Sequence, residues 1–163
     1  MISVAAAGRA NVKALVVVAG LAPEVGESAV SLGERFPTGT LGETLTAPVP
    51  LADGSTDLYI QTERYPAQSA SDVPKAAAAQ MAATQRPVTQ AALAEPAGAL
   101  SWKTVPSWFI WGSADRNIPR ALHAFMAQRA KARKALKIKG ASHVVMISHA
   151  DDVAQMIEQA ASD

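Results

Sequence analysis

The chain has 163 residues, a net charge of +1, 49% hydrophobic and 18% charged residues, and no cysteine. The length sets one globular domain that buries roughly two thirds of its unfolded surface, and the near-zero charge gives no global reason to expect a nucleic-acid partner. Disulfides, thiolate metal sites and a cysteine nucleophile are excluded, and no apolar run reaches the ~18 residues that a membrane helix needs.

Met1 to Ala7 is small and apolar, and Gly8 reads as a helix C-terminal glycine followed by a turn at Asn11. The chain therefore opens as if inside a helix. Val12 to Ala19 is the first predicted strand, apolar on both faces like a parallel strand covered by helices. Arg9 and Lys13 before Ala14 to Ala22 also fit a signal peptide. Three consecutive valines favour a strand, and no small-x-small cleavage site precedes Pro23 and Glu24. Ser28 is expected to cap a helix over Ala29 to Phe36 that stops before Pro37. Glu24 and Glu27, at the mouth of the strand, are expected in a solvated loop.

Residues 38–57 are rich in Gly, Pro and Thr, and Asp53-Gly54 marks a turn of a small hairpin. Asp72 is the expected cap of a helix with Pro74 in its first turn and Lys75 to Thr84 as its body. Pro87 breaks the pattern, which resumes over Thr89 to Glu95. A run of short helices between two strands reads as a lid inserted over the strand ends. The expected organisation is a core of residues 1–37 and 101–163 with an insertion at 38–100.

Ser107 to Trp111 is the second strand, ended by Gly112, and a polar turn carries Asp115. Pro119 to Ala132 reads as a helix with Leu122, Phe125 and Met126 facing inward and His123 on the surface. Ala135 to Lys139 is a short edge strand, and Gly140 to Ile147 a loop carrying His143. Ser148, with Asp151 three residues on, is expected to cap the last helix. Val153, Met156, Ile157 and Ala160 form its expected buried stripe. Seven basic residues (Arg120, Arg129, Lys131, Arg133, Lys134, Lys137, Lys139) read as a solvated face.

The chemistry concentrates at two predicted strand ends. Ligands and catalytic groups collect at the carboxyl ends of strands in open α/β sheets. Asp115 there is either an acid that orients a histidine or a residue that caps its own turn. His143 is either a general base or a histidine hydrogen-bonded in a half-buried loop. Their order matches the Ser…Asp…His order of one large fold. His149 reads as neutral and structural at a helix start. The three histidines are too scattered for metal-ligand spacing.

The stretches Asn11–Ala19, Ala22–Ser28, Met81–Pro87, Trp111–Pro119 and Gly140–His149 resemble the α/β-hydrolase fold family, in its branch of small bacterial esterases and hydroxynitrile-lyase-like enzymes. The resemblance spans the whole chain but only the C-terminal half of the family's domain. It implies three parallel strands with flanking helices and a mainly helical cap. It also implies Asp115 as triad acid, His143 as triad base, and hydrolysis of a small ester-like substrate without a cofactor. Cap residues Tyr59, Tyr65 and Met81 then suggest an apolar pocket. The family's Gly-x-Ser-x-Gly elbow is absent, and Ser3 lacks its flanking glycines. A chain inactive alone is expected. A cofactor-free lyase, or a non-catalytic subunit completed by a partner, is the alternative. The first strand would lack a neighbour on one side, which favours self-association through that edge. No nucleic-acid or membrane partner is expected, and the expected compartment is cytoplasmic. An unrelated flavodoxin-like binding domain would instead leave Asp115 and His143 far apart.

Overall fold

The structure is a computed structural model that describes residues 2–163. Met1, the first residue of the predicted opening helix, lies outside them. Chain order is α1 (Ile2–Ala5), β1 (Leu15–Val18), α2 (Ala29–Arg35), β2 (Val49–Pro50), β3 (Thr56–Leu58), α3 (Tyr65–Ser69), α4 (Lys75–Ala83), β4 (Val88–Thr89), α5 (Gln90–Ala94), β5 (Ser107–Gly112), α6 (Arg120–Arg129), β6 (Lys134–Ile138), α7 (Val145–Ser148) and α8 (Ala150–Ser162). Two 3-10 turns, Leu41–Thr44 and Ser101–Lys103, complete it.

β5 is the centre of a parallel sheet of order β1-β5-β6. All its residues are buried, because both its faces are covered. Successive side chains point to opposite faces. Phe109 and Trp111 join Leu15, Val17, Leu122 and Met126 on the α6 side. Trp108 and Ile110 join Val145, Val153 and Met156 on the α8 side. β6 is the predicted edge strand, with residues alternating between half-buried and exposed. Among the described residues β1 pairs only with β5.

Ser28 caps α2 as expected. Its hydroxyl accepts from the Ser31 amide, and Ser31 returns the bond to the Ser28 amide. Other local expectations are corrected. The first strand starts at Leu15 rather than Val12. Pro74, not Asp72, precedes α4, and Asp72 makes no capping bond there. The hairpin at Asp53-Gly54 exists, but β4 adds a third antiparallel strand to it. The loop carrying His143 contains a helical turn, α7, which takes up Ser148. His149 then precedes α8, with no side-chain cap. Helix α8 buries Val153, Met156 and Ala160, and its rotation leaves Ile157 49% exposed. No helix among the described residues is long and apolar enough to cross a membrane.

The 38–100 segment bonds the loops after β5 and β6 at the carboxyl end of the parallel sheet. Gln68 Nε2 donates to Asn117 Oδ1 at 3.0 Å, and Asn117 Nδ2 donates to Ser69 Oγ at 3.0 Å. The Thr40 amide donates to the Arg116 carbonyl, and the Val144 amide to the Ser69 carbonyl.

Candidate active site

Asp115 stands in the tight turn between β5 and α6. Its Oδ1 accepts from the amides of Asn117 and Ile118, both at 2.9 Å. Such bonds are why aspartate favours turns. Its Oδ2 accepts from His143 Nδ1 at 2.9 Å. One oxygen of the carboxylate thus bonds its own turn and the other a histidine. The flavodoxin-like alternative is overturned by this contact.

Gly112 makes the approach geometrically feasible. The 140–143 loop crosses the end of β5 so closely that a Cβ at Gly112 would lie 2.5 Å from the Ala141 carbonyl carbon, and nearer still to two carbonyl oxygens. The loop is fixed by Ala114 N–H donating to Ala141 O at 2.9 Å and Gly140 N–H donating to Ser113 Oγ at 2.8 Å. Gly140 itself has φ +81°, a conformation that favours glycine. The His143 side chain is 26% exposed, while Asp115's is fully covered.

A second histidine shares Asp115. His123 Nε2 lies 3.1 Å from the same Oδ2. His123 is 1% exposed, not a surface residue, and its ring stacks on Trp111 with centroids 5.6 Å apart. The helical period holds the signal that finds it: His123 adjoins Leu122 and lies three residues before Met126, and all three are buried in α6. Phe125, expected inside, is only partly buried and lies beside the guanidinium groups of Arg35 and Arg129.

Burial works against the charge on Asp115. The hydrogen bonds of His123 and His143, the positive field of His143 and the Ile118 amide outweigh it, and its carboxyl lies far below the usual carboxylate range. An ionised carboxylate only accepts. His143 therefore carries a proton on Nδ1, and His123 one on Nε2. When His143 carries only that Nδ1 proton, its Nε2 keeps a lone pair, which is the state a general base needs.

His143 also lines a cavity of about 540 Å³ between α2, the 38–45 stretch and the start of α6. Its walls include Leu21, Val30, Phe36, Leu41, Leu93 and Ile118, with Glu34 and Asn117 among its polar members. Tyr59, Tyr65 and Met81 do not line it. Tyr65 and Met81 pack instead on Ala70, Ala78 and Val144. Ser3 is also outside it, buried with its hydroxyl accepting from the Ser101 amide. Among the described residues no three His, Cys, Asp or Glu side chains group as metal ligands.

Two polar clusters flank the site. Glu27 is not a solvated loop residue. Arg129 reaches its two oxygens at 2.9 and 2.8 Å and also donates to the Ala22 carbonyl at 2.8 Å. Burial opposes the Glu27 charge, but Arg129, the Glu24 amide and Arg35 hold its carboxyl below the usual range. Arg129 thereby leaves the solvated basic face and ties the loop after β1 to α6. Glu24 pairs with Lys103. Behind His143, Asp72 faces the hydroxyls of Ser142 and Ser148. Burial opposes its charge and those hydroxyls lower its pKa, although none of these atoms closes a full hydrogen bond. His149 lies 3.4 Å from Asp152 and 3.8 Å from Asp72.

A parallel α/β sheet with an aspartate and a histidine hydrogen-bonded across adjacent strand ends is the architecture of an α/β-hydrolase core. The model of the family described as "Alpha/beta hydrolase family" matches residues 2–156, and the chain belongs to that family. Among solved structures, polyneuridine aldehyde esterase superposes with a TM-score of 0.72 at 16% identity, over 93% of this chain and 63% of its own. A methylesterase from Arabidopsis gives 0.63 at 14%, over 93% and 59%. Tomato methylketone synthase I, complexed with beta-ketoheptanoate, gives 0.63 at 14%, over 98% and 63%. The chain thus spans less than two thirds of these structures. No curated protein matches it.

Proposed function

We propose that this chain is the acid–base half of a serine-dependent ester hydrolase acting on a small, mainly apolar substrate. The observation that carries this is His143, bonded through Nδ1 to a buried, ionised Asp115 while lining an apolar cavity. His143 Nε2 would take the proton of a serine hydroxyl as that oxygen attacks the ester carbonyl. It would return the proton to the departing alcohol, and Asp115 would stabilise the imidazolium between the steps. The serine is not supplied by a Gly-x-Ser-x-Gly elbow of this chain. Residues 38–100 would cover the pocket as a cap. Two of the similar structures are named as esterases, in keeping with this reading. A cofactor-free lyase is the second reading, favoured by the presence of a complete base–acid pair without a nucleophile.

The test is fluorophosphonate labelling and p-nitrophenyl butyrate hydrolysis. The 163-residue chain should show neither. Joined to a preceding segment that carries the elbow, it should show both, and His143→Ala or Asp115→Asn should lower turnover by about 10³–10⁴-fold. Robust serine labelling of this chain alone, or turnover indifferent to His143→Ala, would overturn the proposal. Cleavage of a carbon–carbon bond with no acyl-enzyme would favour the lyase.

A further inference from the structure

We propose that His123 is a positioning residue for the His143–Asp115 pair: it donates to the oxygen His143 uses, fixing that oxygen's direction and dividing its charge between two imidazoles. The inference rests on His143 as the base and extends it to a residue behind the site. His123 Nε2 and His143 Nδ1 stand 3.1 and 2.9 Å from Asp115 Oδ2, and they arrive from different elements, α6 and the loop after β6. At 1% exposure His123 has no access to a substrate and cannot be the base itself. Its ring is held almost parallel to Trp111, at 18°, so its Nε2–H has little freedom to turn away.

The consequence is specific. Two backbone amides already fix Oδ1. Each imidazole on Oδ2 draws on the same lone-pair density, so His123 limits how strongly Asp115 holds the His143 proton. Removing the donor while keeping the volume should shorten and strengthen the remaining bond and make His143 Nε2 more electron-rich. A residue that only filled space or satisfied a buried carboxylate would change stability and leave His143 chemistry alone.

The experiment compares the parent chain with His123→Met, which lacks a donor, and His123→Gln, which offers one from an amide nitrogen. The readouts are imidazole nitrogen NMR, which reports tautomers and the Nδ1–H resonance, and the rate of diethyl pyrocarbonate modification of His143 mapped by mass spectrometry. In His123→Met the Nδ1–H proton of His143 should move downfield and modification should accelerate roughly two- to fivefold, the scale of strengthening one charge-assisted hydrogen bond. His123→Gln should keep parent values. Parent values in His123→Met, or matching changes in both variants, would overturn the inference. Should His123→Met fail to fold, His123→Asn, whose shorter side chain draws the donor away from Oδ2, takes its place with the same expected changes, and in the parent an Nδ1–H tautomer of His123 overturns the proposal outright. An Nε2–H tautomer of His143 in the parent would instead defeat its reading as the base. An Nδ1–H His143 insensitive to His123 would defeat only this inference.

Discussion

Replacing Gly112 with alanine puts a methyl group where the His143 loop crosses the end of β5. The new carbon would lie 2.5 Å from the Ala141 carbonyl carbon, whereas carbon contacts settle near 3.5–4.0 Å, so the loop must retreat by about 1 Å. The obstacle is backbone, which has no rotamer to escape into. Overpacking of this kind costs about 1–3 kcal/mol. Losing the Ala114-to-Ala141 hydrogen bond adds about 1 kcal/mol. Stiffening of the unfolded chain returns about 0.4–1 kcal/mol. The net is about 1–3.5 kcal/mol, or about 2–14 °C in Tm for a chain of this length. Thermal unfolding followed by circular dichroism measures it. Gly33→Ala is the control: Gly33 lies within α2 with nothing near its missing Cβ, so the same substitution should stabilise by about 0.5–1 kcal/mol. In Gly112→Ala the retreat should also break the His143–Asp115 bond, seen as loss of the Nδ1–H tautomer. A Gly112→Ala protein with parent Tm and an intact tautomer would refute the close-approach argument.

Asp115→Asn should destabilise by about 3 kcal/mol, because it breaks a buried pair and leaves imidazole donors without their acceptor. Asp115 has its pKa lowered from 3.8 by folding, so its stabilisation is complete above that value and drains as pH falls through the lower, folded one. Parent stability should therefore fall with acid more steeply than that of Asp115→Asn, and identical slopes in urea titrations below pH 4 would count against this. Arg129→Ala should cost about 1–3 kcal/mol, since the Glu27–Arg129 pair is part-buried and bidentate. Arg129→Lys should recover little of it, because lysine cannot span both carboxylate oxygens, and denaturant midpoints check both. The free side of β1 should drive concentration-dependent self-association in sedimentation velocity, and a monomer at every concentration would argue that the edge is protected.

What could be read from the sequence follows how local each signal is. The apolar run Ser107–Gly112 announces the central strand because it is buried on both faces. The closeness of Asp115 and His143 is legible because each lies in the loop after a strand, and the two strands, β5 and β6, are neighbours. β4 is not legible, since two residues carry no period and pair only with residues 30 and 32 positions earlier. Ser148 and Ile157 depart from expectation because a short helical turn, α7, precedes α8 and shifts its start and its buried face. The Glu27–Arg129 pair spans 102 residues, and nothing local in either stretch marks it.

His123 is the instructive miss. Choosing Phe125 as an inward residue of α6 tilts the assumed buried face by one position and puts the histidine in solvent. The actual face takes Leu122, His123, Met126 and Ala127. A buried imidazole needs a partner, because an orphaned polar group inside the protein costs about 1–3 kcal/mol. Asp115 is eight residues back in the turn that starts the same helix. Asp115 is therefore more than one end of an Asp–His pair. One of its oxygens holds its own turn in shape, and the other is held from behind by His123 while it holds His143 in front. The strand β5 sets where this carboxylate stands, and α6 sets how it is oriented. The contact between Asp115 and His143 therefore depends on the helix after Asp115 as well as on the strand before it.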